Sequence, residues 1–249
     1  MKLYHCESVD VQAIAEELYP DVIVINSVVQ YFPSEQYLYN TILAATKILR
    51  QGPIGQGAIF IGDVRNNATL YNFHLAIQQY NNTHSDGLPQ ETTHNLALLA
   101  EHSMLLETEL CLDPQYFMNL VHDDAIDVTA VKCCLKRGSY VNELSAFRYD
   151  VLLMFGSNNN DNKFHIICNC EDIRFDRDSW NFSDLVHVIE SKSVEQQYII
   201  VSGIPNGRVD SKHGINVSML LQYCDTNRWS IELSPFFTSP KMGVDLVTF

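Results

Sequence analysis

Residues Val22 to Ser34 read VIVINSVVQYFPS, and the fold turns on this run. Four β-branched residues, VIVI, have the make-up of a buried strand. The strand then meets Asn26 and Ser27, passes through Val-Val-Gln to Tyr31 and Phe32, and stops at Pro33. A strand ending in amide and hydroxyl groups beside aromatics needs a reason for those groups to be there.

Downstream, SEQYLYNTILAATKILRQG predicts an amphipathic helix with Ser34 as N-cap, Lys47 and Arg50 in its last turn and Gly52 closing it. GAIFIGDV is a second buried strand, introduced by the turn-rich GPIGQG. TLYNFHLAIQQY and NLALLAEHSMLLETELCL read as helices, and Asp113-Pro114 starts a short one. VTAVKCCLKRG and FRYDVLLMF then read as antiparallel strands with SYVNELSA as a loop at their tip. FHIICNC and YIIVSGIP are further strands, NFSDLVHVIES and GINVSMLLQYC helices, and the last residues a strand hairpin. Upstream, VDVQAIAEELYP has helix spacing. Alternating α and β units argue for a parallel sheet with helices on its faces, and the hairpin adds an antiparallel pair at one edge. The strands Asp21–Asn26 and Ala58–Val64 are expected to be parallel, with the hairpin Val128–Leu135 and Phe147–Phe155 beside them.

The chain has 249 residues, is 46% hydrophobic and carries a net charge of -14 with only 16 Lys plus Arg. It can build a sizeable core, and the acidity argues against nucleic acid as a partner. No apolar run approaches the roughly 18 residues of a membrane helix, and no secretory signal is visible, so a cytoplasmic protein without a membrane partner is expected. Seven irregularly spaced cysteines suit reduced thiols. The sequons at Asn67, Asn81, Asn181 and Asn216 are read as chance in an Asn-rich chain. His165, Cys168 and Cys170 make a poor metal signal, so no metal is expected. Cys133 and Cys134 are simpler as small strand residues. His5 and Cys6, adjacent on a strand, would point to opposite faces.

Several motifs together resemble one family. VIVINSVVQYFPS, IFIGDVRN, LLETELCLDPQYF, LKRG, NELSAFRYDV, SGIPNGR and IELS…GVDLV look like the class I S-adenosylmethionine-dependent methyltransferase domain of nonribosomal peptide synthetases. NELSAFRYDV (Asn142 to Val151) is the most specific. The closing motif keeps Glu232, Ser234, Gly243 and Asp245 but lacks the usual Ala-Arg-Gln. The resemblance implies a Rossmann-like α/β sheet that is N-terminally truncated. It also implies an antiparallel terminal hairpin and a small C-terminal α/β extension, dividing the chain into 1–156 (core) and 157–249 (extension).

In that family the opening stretch is the fourth sheet strand, whose carboxyl end opens onto cofactor and substrate, the usual place in open α/β sheets. The resemblance then implies Glu7, Ser8, Asn26 and Ser27 as cofactor contacts. It implies Gln30, Tyr31, Asp63, Arg65, Asn142 and Arg148 as substrate contacts, and Asn26, Glu143 and Tyr149 in catalysis. Other readings stand beside these: Phe32 as a core contact, Glu143 with Arg148 as a local ion pair, and Tyr149 as a core aromatic. Glu143 can take a proton if burial raises its pKa.

The implied reaction is methyl transfer to an amine of a carrier-bound aminoacyl or peptidyl group, with an upstream synthetase segment as a further partner. The alternative is a non-catalytic remnant or scaffold. The family's glycine-rich loop and its ribose-binding carboxylate are not found before the opening stretch. Losing two charged hydrogen bonds costs roughly 3–6 kcal/mol, or about 10²- to 10⁴-fold in affinity. S-adenosylmethionine binding by this chain alone is therefore expected to be weak or absent. VIVI is expected to be a sheet edge, or to pair with a remaining segment such as Lys2–His5, and the chain alone to be poorly soluble or to self-associate through this edge.

Overall fold

A computed structural model describes residues 5–14, 19–52, 55–84, 92–137, 140–156, 171–174, 179–193, 199–204, 206–209, 216–226, 231–234 and 244–248. A 3-10 helix, Ser8–Ile14, precedes β1 (Val22–Asn26), α1 (Glu35–Gln51), β2 (Gly57–Asn66), α2 (Leu70–His84) and α3 (Thr93–Leu105). Then come β3 (Cys111–Leu112), α4 (Pro114–Asn119), β4 (Ala130–Leu135), α5 (Glu143–Phe147) and β5 (Arg148–Phe155). A second group holds β6 (Glu171–Arg174), α6 (Phe182–Ser193), β7 (Ile199–Ile204), α7 (Val217–Thr226), β8 (Ile231–Ser234) and β9 (Val244–Thr248).

The first sheet is open and five-stranded, in the order β1-β2-β5-β4, with β3 also paired to β2. β1 and β2 are parallel, Val22 opposite Ala58 and Asn26 opposite Gly62. β5 is antiparallel to both β2 and β4. The expected parallel pair and antiparallel hairpin are therefore present. The second sheet has the order β6-β7-β9-β8; β6 and β7 are parallel, and β8 and β9 form the expected closing hairpin. The strand read at FHIICNC lies outside the described residues.

Period explains the main core. Leu38, Ile42, Ala45 and Leu49 recur at helical spacing on α1 and are at most 2% exposed. Ser34 accepts a hydrogen bond from the Tyr37 backbone N–H and caps the helix, as its sequence predicts. That stripe packs on Ile59 and Ile61 of β2 and on Tyr149, Val151 and Leu153 of β5. Each such side chain contributes about 1.5–3 kcal/mol by leaving water.

Three segments depart from the sequence reading. The helix expected through Leu112 stops at Leu105. There the Glu107 carboxylate accepts the backbone N–H groups of Thr108 and Glu109. This turn frees Cys111 and Leu112 to pair with Arg65 and Asn66. At the hairpin tip, Asn142 and Ser145 form a reciprocal capping box and nucleate α5, where a plain loop was expected. At the chain start, the expected helix is a 3-10 turn over Ser8–Ile14.

Among the described residues β1 is hydrogen-bonded on one side only, to β2. Val22 and Val24 are 54% and 64% exposed, and unpaired apolar edges recruit other strands. Val24→Lys is expected to weaken concentration-dependent self-association of the chain, read as a lower weight-average mass in sedimentation. An unchanged mass would remove β1 as the associating edge.

Candidate functional site at the carboxyl ends of β1 and β2

β1 ends at Asn26, and the chain then enters the left-handed region at Ser27 (φ 58). The Ser27 N–H still donates to the Gly62 carbonyl of β2 (3.1 Å). Across from it, β2 bulges. The register with β5 shifts between Ile61 and Val64, and Asp63 also has positive φ (71). The Asp63 N–H that the bulge removes from the ladder donates to the Asp150 carboxylate of β5 (2.9 Å). Two non-glycine residues in strained backbone thus face each other at the strand ends. Such strain costs about 1–3 kcal/mol per residue and collects at functional sites.

The side chains form one network. The Asn26 amide donates to Ser27 Oγ (3.0 Å), and Ser27 Oγ donates to Asp63 Oδ2 (3.0 Å). Lys136, just past β4, places its ammonium 3.1 Å from Asp63 and 2.6 Å from Asp150. Arg148 lies 3.3 Å from Asp63 and 2.6 Å from Glu143. Any side chain at Gly62 would displace the Asn26 amide, because a Cβ there would meet Asn26 Oδ1 at 2.0 Å. Burial by itself would raise the Asp63 carboxyl. The bonded Lys136 ammonium, the Ser27 hydroxyl and the Arg148 charge outweigh it and hold the group below the ordinary aspartate value. Asp63 is an anion that anchors cations, and a poor proton acceptor.

Gln30 sits in the short 3-10 turn after β1 and is 5% exposed. Its amide donates to the Ser27 carbonyl (3.1 Å), and its backbone carbonyl accepts from Leu110 N–H (2.8 Å). Its Oε1 is buried and has no hydrogen-bond partner among the described residues. A buried acceptor without a donor costs about 1–3 kcal/mol and is suited to a donor brought from outside. Arg148 and Glu143 also line a small, open hollow with Arg65, Asn66, Leu70, Phe73 and Phe147.

The structure brings together Asn26, Ser27, Gln30, Asp63, Glu143 and Arg148 of the residues singled out in the sequence. Glu143 and Arg148 form the local ion pair. Lys136 and Asp150 belong to the same network without having been singled out. Asp150 had a signal, since it shares a β5 face with Arg148 at strand period two.

Tyr149 lies between them and so points to the other face. It is fully buried in the core, and its hydroxyl donates to the Leu112 carbonyl (3.0 Å). Burial pushes this phenol well above its ordinary value. Asn142 is committed to capping α5. Arg65 is held by Glu107 and Glu109 at 2.9 and 2.7 Å. Tyr31 is 71% exposed. Glu7 is exposed, and the Ser8 hydroxyl is engaged by Tyr37 and Thr41 of α1. Tyr149→Phe is expected to lower stability by about 1–2 kcal/mol, because it orphans the Leu112 carbonyl, while leaving ligand binding at the strand ends unchanged. A denaturant melt checks the first effect and calorimetry the second.

Among the described residues no group of His, Cys, Asp and Glu could hold a metal ion, and no helix is long and apolar enough to cross a membrane. No protein-family model matches the chain. Three of the proteins it is similar to are large synthetases. It is 39% identical over 137 residues to a probable non-canonical nonribosomal peptide synthetase, CymA, of Salinispora arenicola, which is 55% of this chain and 2% of the relative. It is 39% identical over 136 residues to chondramide synthase cmdD of Chondromyces crocatus, 55% of this chain and 3% of the relative. It is 36% identical over 142 residues to cyclosporin synthetase simA of Tolypocladium inflatum, 57% of this chain and 1% of the relative. The matched part of this chain thus spans only 1–3% of the length of these relatives, and the similarity is consistent with a domain embedded in a nonribosomal peptide synthetase.

Proposed function

We propose that the chain is part of a methyltransferase domain of a nonribosomal peptide synthetase. It would move a methyl group from S-adenosylmethionine to the amine of a carrier-bound aminoacyl or peptidyl substrate. The observation that carries the reading is the strained carboxylate network at the carboxyl ends of β1 and β2, with the unpartnered Gln30 Oε1 beside it.

The chemistry of the residues fits the cofactor. Asp63, Asp150 and Glu143 give three carboxylates against the two cations Lys136 and Arg148. One negative charge remains to favour a sulfonium or ammonium nearby. Asn26 and Ser27 would hold the cofactor at the strand ends, the exposed Glu7 carboxylate would accept from its adenine amine, and Ser8, with its hydroxyl engaged on α1, would contribute backbone. S-adenosylmethionine would supply an electrophilic methyl carbon with a neutral thioether as leaving group, and the substrate amine would be the nucleophile.

The protein's own work is positioning, which supplies about 7–11 kcal/mol in a well-oriented displacement. Gln30 Oε1 accepts one N–H of the incoming amine and turns its lone pair toward the methyl group. Asp63 holds Lys136 and Arg148 in place. Glu143, 47% exposed on its side chain and paired with Arg148 at 2.6 Å, holds that guanidinium in place, and the proton released by the methylated nitrogen goes to water.

The test is label transfer from methyl-tritiated S-adenosylmethionine to an aminoacyl pantetheine thioester, made in the polypeptide that carries these residues. Gln30→Leu is expected to lower kcat at least about tenfold, the scale of one lost charge-oriented hydrogen bond, with cofactor affinity unchanged. Absence of both cofactor binding and transfer in the wild type overturns the reading and leaves the scaffold alternative.

A further inference from the structure

β4 ends in a residue that belongs to another core. Leu135 packs with Leu185, Ile189, Val201, Ile204 and Leu220 of the second α/β unit, not with the core under the first sheet. The next residue, Lys136, sends its ammonium back to Asp63 and Asp150. Its carbonyl accepts a 2.6 Å hydrogen bond from Arg208 Nη1. The same nitrogen donates to the Ser145 carbonyl of α5 at 3.3 Å. α5 begins with Glu143, the partner of Arg148.

The turn that carries Arg208 is itself fixed. Asn206 Oδ1 accepts the Arg208 N–H (3.0 Å), and the Asn206 carbonyl accepts the Val209 N–H (3.0 Å). Asn206 and Arg208 are 2% and 7% exposed. The two N–H groups of one Nη1, fixed in a planar guanidinium on a locked turn, hold both carbonyls in fixed relation, whereas an ammonium rotates at the end of a flexible stem.

We infer that Arg208 is a positioning residue: from the second α/β unit it ties the backbones of Lys136 and Ser145 together, and so sets where Lys136 and Glu143 meet the Asp63 network. The second unit completes the site rather than trailing from it. The consequence for turnover rests on the methyl-transfer reading; the consequence for the network does not.

The test uses Arg208→Met, which keeps aliphatic bulk and loses the N–H donors, and Arg208→Lys, which keeps charge and N–H donors but loses the planar, fixed geometry. Leu185→Ala, inside the second core, is the control for lost stability alone. The Asp63 carboxylate is titrated by carbon NMR, and kcat and KM for an aminoacyl pantetheine thioester are measured below the melting temperature of each variant. In Arg208→Met the Asp63 midpoint is expected to rise by about one unit as Lys136 moves off, the size of an opposite charge within contact. kcat is expected to fall about tenfold, one such unit of lost positioning, with KM within about twofold. Arg208→Lys falls between, and Leu185→Ala melts lower with the Asp63 midpoint unmoved. A folded Arg208→Met with wild-type midpoint and rate overturns the inference, as does a wild-type Arg208→Lys if the Met variant does not fold. A shifted midpoint in a protein that transfers no methyl group sinks the methyl-transfer reading and leaves the positioning role standing.

Discussion

Asp63→Ala is expected to destabilise the fold by about 3–4 kcal/mol. The Asp63 side chain is 11% exposed and touches Lys136 at 3.1 Å and Arg148 at 3.3 Å. Removing one partner of a buried ion pair typically costs about 3–5 kcal/mol, because a charge is left without its counterion. Here Lys136 keeps Asp150 and Arg148 keeps Glu143, each at 2.6 Å, which puts the charge part near the bottom of that range. Alanine also inherits the positive φ of 71, a conformation that costs a β-carbon-bearing residue about 1–2 kcal/mol and glycine nothing. Asp63→Gly removes the same carboxylate without that strain, so it should be about 1 kcal/mol less costly than Asp63→Ala. Urea melts of the two variants separate charge from backbone. Equal losses would mean that the bulge relaxes when the carboxylate is gone, and that strain is not held at this position.

The sheet was legible because its signals are local. VIVI and GAIFIGDV announce parallel strands through the helix between them, and the switch to strand period at Val128 announces the hairpin. β3 escaped because two residues carry no periodicity. Its position depends on Glu107 and Arg65, which are distant in sequence. The site was legible where it lies at strand ends, as with Asn26, Ser27 and Asp63. Tyr149 looked equal to Arg148 from the motif alone, and only strand alternation, read against the buried face, separates them. Lys136 and Arg208 lie in the quoted motifs LKRG and SGIPNGR, but the motifs do not say that the two meet. Their contact joins residues 72 apart, and no spacing in the chain encodes it.

Arg65→Ala is expected to cost about 3–5 kcal/mol at neutral pH, the range for orphaning a buried charge. The Arg65 guanidinium is 8% exposed on its side chain, forks between Glu107 (2.9 Å) and Glu109 (2.7 Å), and lies 4.8 Å from the centre of the Phe73 ring. Lysine would offer a point charge where two diverging carboxylates need a fork, so Arg65→Lys should recover only part of the loss. The loss should depend on pH. Burial alone would raise Glu107, but the Thr108 and Glu109 N–H groups and Arg65 hold it below its ordinary value. A depressed carboxyl contributes stability above its unfolded value, about 4.3, and loses it as pH falls through the lower folded value. Without Arg65 the depression shrinks, so wild type and Arg65→Ala should converge as the solution is acidified below about pH 4. Arg65→Ala combined with Glu107→Gln should cost less than the two single losses added, by about 1–3 kcal/mol, because the double variant leaves no buried charge unpaired at Glu107. Additive losses, or a pH-independent gap, would show that the fork does not hold β3 in place. Arg65 would then be available to a substrate, as its place at the end of β2 implied.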